Sequence, residues 1–131
     1  MRYYLSHSIR GAKGEAATPT DMKKNCDKVI EVADVIRFAL PSVELYVPAE
    51  HEDFVSIAFL DKYLTEQQVL EIDCKIIDIC DGVIIYCPPD DPIQGGRKVE
   101  FDHAAMECKP ILVFQEPVEA ISWLTHQIVR V

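Results

Sequence analysis

The segment Gly82-Val83-Ile84-Ile85-Tyr86-Cys87 constrains this chain more than any other. Six small or apolar residues follow one another between Asp81 and Pro88 with no polar interruption. A surface helix would show polar positions every few residues, and a half-exposed strand would alternate. A short continuous run rich in β-branched residues instead describes a central strand of a parallel sheet, covered on both faces. The covering layers must come from the rest of the chain.

The flanking segments supply them. Residues 2–6 read as a first strand. Thr18-Pro19-Thr20-Asp21 starts a helix, with Thr18 as N-cap, Pro19 at the first helical position and an acid three residues after the cap. Val29, Ile30, Ala33, Ile36 and Leu40 carry it to Ala39, and Pro41 stops it. Residues 43–47 alternate as a strand that ends at Pro48, and residues 49–63 read as loop with at most a short helix. Thr65 and Gln68 repeat the capping pattern for a helix reaching Cys80. A loop rich in Pro, Asp and Gly spans residues 88–96, residues 97–108 are helical, and residues 111–115 form a strand. A short helix and a last strand over residues 127–131 close the chain. Alternating strands and helices predict one α/β domain over residues 1–131. It is a three-layer sandwich of Rossmann or flavodoxin-like type, around a mainly parallel sheet of about five strands. In that architecture ligands collect at the carboxyl ends of the strands.

Composition narrows the function classes. A net charge of −9 argues against a nucleic-acid footprint, which needs clustered Lys and Arg. No apolar run approaches the roughly 18 residues of a membrane span. The five cysteines are odd in number and sit mostly in apolar runs, and the opening residues do not read as a secretory leader. Reduced, buried thiols in a cytoplasmic protein are expected. His7, His51, His103 and His126 show no ligand spacing, and neither a CxxC pair nor HExxH occurs, so neither a metal nor another cofactor is expected.

Three carboxylates attract notice. Asp73 shares a helical stripe with Val69, Ile72, Ile76, Ile77 and Cys80. An acid there is paired, protonated, lining a cavity, or else marks the edge of the stripe and faces solvent. Glu100 follows Gly95-Gly96 in what reads as the first turn of a helix, where the dipole favours a carboxylate and where a glutamate is also commonplace. Asp81 joins a helix to the central strand and reads as a structural turn acid. Two carboxylates at one ligand edge suit chemistry at an anomeric carbon, one attacking the carbon and the other handling a proton. The loop His7-Ser8-Ile9-Arg10-Gly11-Ala12-Lys13-Gly14 is either a solvated turn or a cradle for an anion.

The order of several short motifs resembles the nucleoside 2-deoxyribosyltransferase-like superfamily, closest to its Rcl-like branch of 2′-deoxynucleoside 5′-monophosphate N-glycosidases. The motifs are YYLSHSIRG at the start, AEHED after the second strand, IDCKIIDICDGVII, and GGRKVEFDHAAMECKPILVF. They span residues 3 to about 114. The resemblance implies Glu100 as nucleophile, Asp73 as the acid serving the leaving base, and Tyr4 touching nucleophile and sugar. It implies Ser8, Ile9, Arg10 and Gly11 as the loop holding a 5′-phosphate, with Gly96 also in that site and His51 near base or sugar. Ser122 matches, across a small gap, a serine lent over a dimer interface. His7 departs from the branch, which often has Gly there. The loop before Glu100 is longer, with Asp90 and Asp91 added, and Gln94 stands near the branch's phosphate-binding Ser; Arg97 or Lys98 could supply charge instead.

The expected function is hydrolysis of the N-glycosidic bond of a (deoxy)nucleoside 5′-monophosphate by a homodimer, with Trp123 as a candidate interface anchor. Three alternatives share parts of the pattern. One is a nucleoside 2-deoxyribosyltransferase acting on unphosphorylated nucleosides, another an NAD glycohydrolase of the TIR type. The third is a non-catalytic nucleotide-binding or interaction domain. Only small-molecule nucleotides or nucleosides, and no nucleic acid or membrane, are expected as ligands.

Overall fold

The computed structural model describes residues 1–129. Four strands form one parallel sheet: β1 (Arg2–Ser6), β2 (Glu44–Tyr46), β3 (Gly82–Tyr86) and β4 (Ile111–Phe114), in the order β2-β1-β3-β4. Five α-helices accompany them among the described residues: α1 (Pro19–Ala39), α2 (Glu52–Leu60), α3 (Glu66–Asp78), α4 (Gly96–Met106) and α5 (Pro117–Val129). The chain first steps from β1 to β2, then crosses back over β1 to reach β3. The carboxyl ends of β1 and β3 therefore flank the point where the winding reverses, the usual ligand crevice of such sheets.

The local signals act as their chemistry requires. Thr18 Oγ1 accepts from the Asp21 amide at 3.1 Å, and the Asp21 carboxylate accepts from the Thr18 amide at 2.9 Å. Thr65 and Gln68 repeat this reciprocal cap at 3.1 and 2.9 Å. β3 is buried at all five positions. Gly82 opens it with no room for a side chain: a Cβ there would lie 2.8 Å from both the Pro110 carbonyl oxygen and the Tyr3 ring.

Strand alternation sorts β1 between two cores. Tyr3 and Leu5 face α1 and α5, packing with Val29, Ala33, Ile36 and Leu124. Tyr4 faces α3 and α4, packing with Ile77, Cys80, Val83, Ile85 and Ala104. Trp123, expected as an interface anchor, packs edge-on against Tyr3 with ring centroids 5.9 Å apart. It is half-buried in its own protomer.

Two expected elements differ. The sheet has four strands, not five, because residues 127–129 continue α5; residues 130–131 of the expected last strand lie outside the described residues. Ala120, Leu124 and Ile128 recur every four residues and pack toward α1, which favours a helix over an edge strand. Residues 52–60, expected mostly as loop, form α2. No helix among the described residues is long and apolar enough to cross a membrane. All five cysteines are free thiols.

Candidate active site

α4 turns a row of unusual residues toward the sheet. Gly95 precedes it with a φ of 58°, a left-handed conformation that glycine tolerates best. Arg97, Glu100 and Ala104 then repeat at helical spacing and are all buried. Glu100 is only 4% exposed. It is the fifth residue of α4, past the first turn where the sequence placed it, so the helix dipole does little for it. A carboxyl buried so deeply needs partners. β1 provides two: the Tyr4 hydroxyl donates to Oε2, and Ser6 Oγ donates to Oε1 at 2.8 Å. Tyr4 and Ser6 are two residues apart and so share one face of β1.

Asp73 approaches from α3. Of the expected stripe, Ile77 and, just past the end of α3, Cys80 are buried and Val69, Asp73 and Ile76 are half-buried, while Ile72 is 40% exposed. Asp73 lies on the inward side of the helix, as its place in the stripe predicts. Its carboxyl lies near enough to Tyr4 and Glu100 for its charge to raise the pKa of both. Two acids from different helices thus come within electrostatic reach of one another, beside Tyr4.

Electrostatics follow from this crowding. Burial, and secondarily Asp73, push Glu100 up to about 8, although hydrogen bonds from Tyr4 and Ser6 and the Arg97 charge pull the other way. Burial raises Asp73 to about 6, with the Tyr4 hydroxyl opposing. The Tyr4 phenol, buried and facing Glu100 and Asp73, is held well above its ordinary value. Between about pH 6 and about 8 the pair holds one proton. One protonated and one ionised carboxyl is the complement that an acid and a nucleophile need.

An aromatic stack leads away from this centre. Tyr46 of β2 stacks on Tyr4 with centroids 5.5 Å apart, and His51 stacks on Tyr46 at 4.9 Å. His51 is exposed, so the stack connects the buried acids to the surface beyond β2.

The loop after β1 closes on itself. Ser8 Oγ accepts from the Gly11 amide at 2.8 Å, Asn25 donates to the Ile9 carbonyl at 2.9 Å, and Gly11 takes a φ of 69°. Arg10 is exposed. Gly96 begins α4 at the same sheet edge. Ser122 lies on α5, across the sheet from Glu100, and could join the site only from a second copy. Asp81 accepts from the Arg2 amide at 2.8 Å, the structural role expected of it.

Two further buried polar groups lie at this edge: Arg97, expected as one possible source of charge for the phosphate, and His7, expected only as a departure from the branch. Arg97 pairs with Asp91 at 2.6 Å and also donates to the Pro92 carbonyl at 2.9 Å, so it pins the long loop before α4. His7 accepts from the Ala49 amide at 3.0 Å, tying the loop after β1 to the one after β2. Elsewhere, His103 lies 2.7 Å from Asp78 and near Glu107; the ligand atoms of the three are within 4.8 Å of one another. The His103–Glu107 spacing of four along a helix is the signal a survey of histidines alone overlooks. An open groove of about 800 Å³, lined by residues including Leu70, Cys74, Val99 and His103, runs along the solvent side of α3 and α4. Glu100 faces the sheet instead.

No family model, curated protein or solved structure matches this chain.

Proposed function

We propose that the protein cleaves the N-glycosidic bond of a (deoxy)nucleoside 5′-monophosphate. The observation that carries this reading is the buried Glu100, gripped by Tyr4 and Ser6, with Asp73 brought within electrostatic reach of it from another helix. Glu100, ionised, attacks the anomeric carbon as the bond to the base breaks, and Asp73, protonated, delivers a proton to the departing base. In the empty site the proton rests mainly on Glu100, the more basic group. Substrate binding shifts that proton to the neighbouring Asp73, which gives the working form. Asp73, once ionised, activates the water that releases the sugar from Glu100. Tyr46 and His51 offer a flat aromatic wall for the base or sugar. Ser8, Gly11 and Arg10 form the outer rim of the phosphate site. A homodimer would allow Ser122 of a second copy to complete it. Five free thiols suit a reducing, cytoplasmic setting.

The test is incubation with a panel of nucleosides and their 5′-monophosphates, following free base by chromatography, with and without a second base as acceptor. Base release by wild type, lost in Glu100→Ala and reduced about 10²–10⁴-fold in Asp73→Asn, is the expected result. Transfer to the acceptor from an unphosphorylated nucleoside would instead favour a deoxyribosyltransferase. An Ala variant that keeps its activity would end the enzymatic reading.

A further inference from the structure

One cluster of metal-ligating side chains lies apart from the candidate active site. Asp78 is the last residue of α3, His103 is in the last turn of α4, and Glu107 caps that helix. The Glu107 amide donates to the His103 carbonyl at 3.0 Å, so the helical turn is unbroken and the two side chains share one face. Asp78 meets that face from the neighbouring helix, with Oδ1 2.7 Å from His103 Nε2. One ligand atom from each of the three lies within 4.8 Å of the other two. β3 begins just past the end of α3, so the cluster lies at the amino edge of the sheet, opposite the crevice.

The surroundings favour a cation there. Both carboxylates sit at helix carboxyl ends, where the dipole opposes an anion. Among the described residues His103 is the only ion-pair partner of Asp78, and Glu107 has none. Lys109 donates to the backbone carbonyls of Asp78 and Cys80, at 3.1 and 2.8 Å, and not to the carboxylate. The donor set selects the ion. Imidazole nitrogen with two carboxylates suits zinc and its first-row neighbours, whereas magnesium and calcium take oxygen ligands, and calcium takes more of them. Zinc bonds of about 2.0–2.2 Å place ligand atoms roughly 3–4 Å apart, which small side-chain rotations here reach. Asp78 and His103 also line the open groove of about 800 Å³, so positions not filled by protein would face it. The expectation of no metal rested on the spacing between histidines, which one histidine with two carboxylates evades.

We propose that Asp78, His103 and Glu107 bind one divalent ion of the zinc class, which staples the end of α3 to the end of α4. The site goes beyond the nucleotide reading and does not depend on it. The two helices it joins are those that carry Asp73 and Glu100.

The test uses the whole chain and metal salts alone. Calorimetry with zinc chloride should show saturable binding of one ion per chain, and magnesium chloride should show none. His103→Gln should weaken zinc binding by at least about 100-fold, beyond the loss caused by changing a residue that only supports a ligand. Glu107→Gln should weaken it as well. Cys108, an exposed thiol next to Glu107 in the chain, is the competing ligand, so Cys108→Ser should bind zinc as wild type does. Cobalt(II) should bind wild type without the intense sulfur-to-metal absorption that a thiolate ligand produces. Zinc should raise the thermal midpoint of wild type and leave that of His103→Gln unchanged. The proposal is overturned by an absence of saturable zinc binding, by equal binding of magnesium, by full binding in His103→Gln, by loss in Cys108→Ser, or by a thiolate band. Should a variant not fold, the wild-type zinc and cobalt titrations decide. None of these readouts needs base release, so the metal site and the glycosidase stand or fall separately.

Discussion

Replacing Glu100 by Gln should stabilise the protein, and by an amount that grows with pH. The folded state keeps a proton on Glu100 up to about pH 8, whereas an unfolded glutamate releases it near 4.5. Between those values folding must hold a proton that the unfolded chain gives up, so stability falls as pH rises. The shift of about 3.5 units corresponds to roughly 5 kcal/mol at pH 9, about 3 at pH 7 and under about 1 at pH 5, at 1.36 kcal/mol per unit. Gln keeps the shape and carries no charge. Its carbonyl can accept from Tyr4 and its amide can donate to Ser6 Oγ, at a loss of about 1 kcal/mol against the present pair. The variant should therefore be near neutral at pH 5 and more stable than wild type by roughly 2–4 kcal/mol at pH 9. Urea unfolding of both proteins at pH 5, 7 and 9 measures this. A difference that stays flat across that range would mean Glu100 is not a buried, protonated acid.

Activity should follow a bell in pH, with limbs near 6 and 8 in kcat/KM, because the pair works with one proton; a profile flat from 5 to 9 would exclude this pair. Tyr4→Phe removes a hydrogen bond that lowers the Glu100 pKa, so the alkaline limb should move to higher pH; a downward move would contradict the assignment. Arg10→Ala should weaken nucleoside monophosphate binding by roughly 1.5–3 kcal/mol in calorimetry while leaving the nucleoside unaffected, and equal weakening of both would refute a phosphate role. Light scattering at micromolar concentration should give the mass of a dimer, and a monomer mass would leave Ser122 outside the site.

What could be read in the sequence was local or strictly periodic. Thr18–Asp21 and Thr65–Gln68 each carry their whole signal within four residues, and both caps form. β3 needed only its uninterrupted apolar run. Asp73 and Glu100 stood out because each breaks the rule of its surroundings, and of the expected buried face of α3 only Ile72 is exposed. The pairing of Asp91 with Arg97 had no local signal, since a loop conformation brings them together. Ser6 did have one: it lies two residues from Tyr4 and therefore on the same face of β1. Arg97 had one too, three residues before Glu100. The chain end was misread because a short β-branched tail suits either a strand or a helix, and packing against α1 decided it.

Tyr4 sits at the middle of β1, with β2 bonded on one side at Tyr46 and β3 on the other at Val83. Its amide cannot exchange hydrogen for deuterium by fraying, nor by the opening of any single loop. The strand side of the proposed reactive centre therefore has no local unfolding mode of its own. Heat or denaturant should leave its geometry intact until the whole domain lets go, so loss of activity and loss of the sheet should share one midpoint.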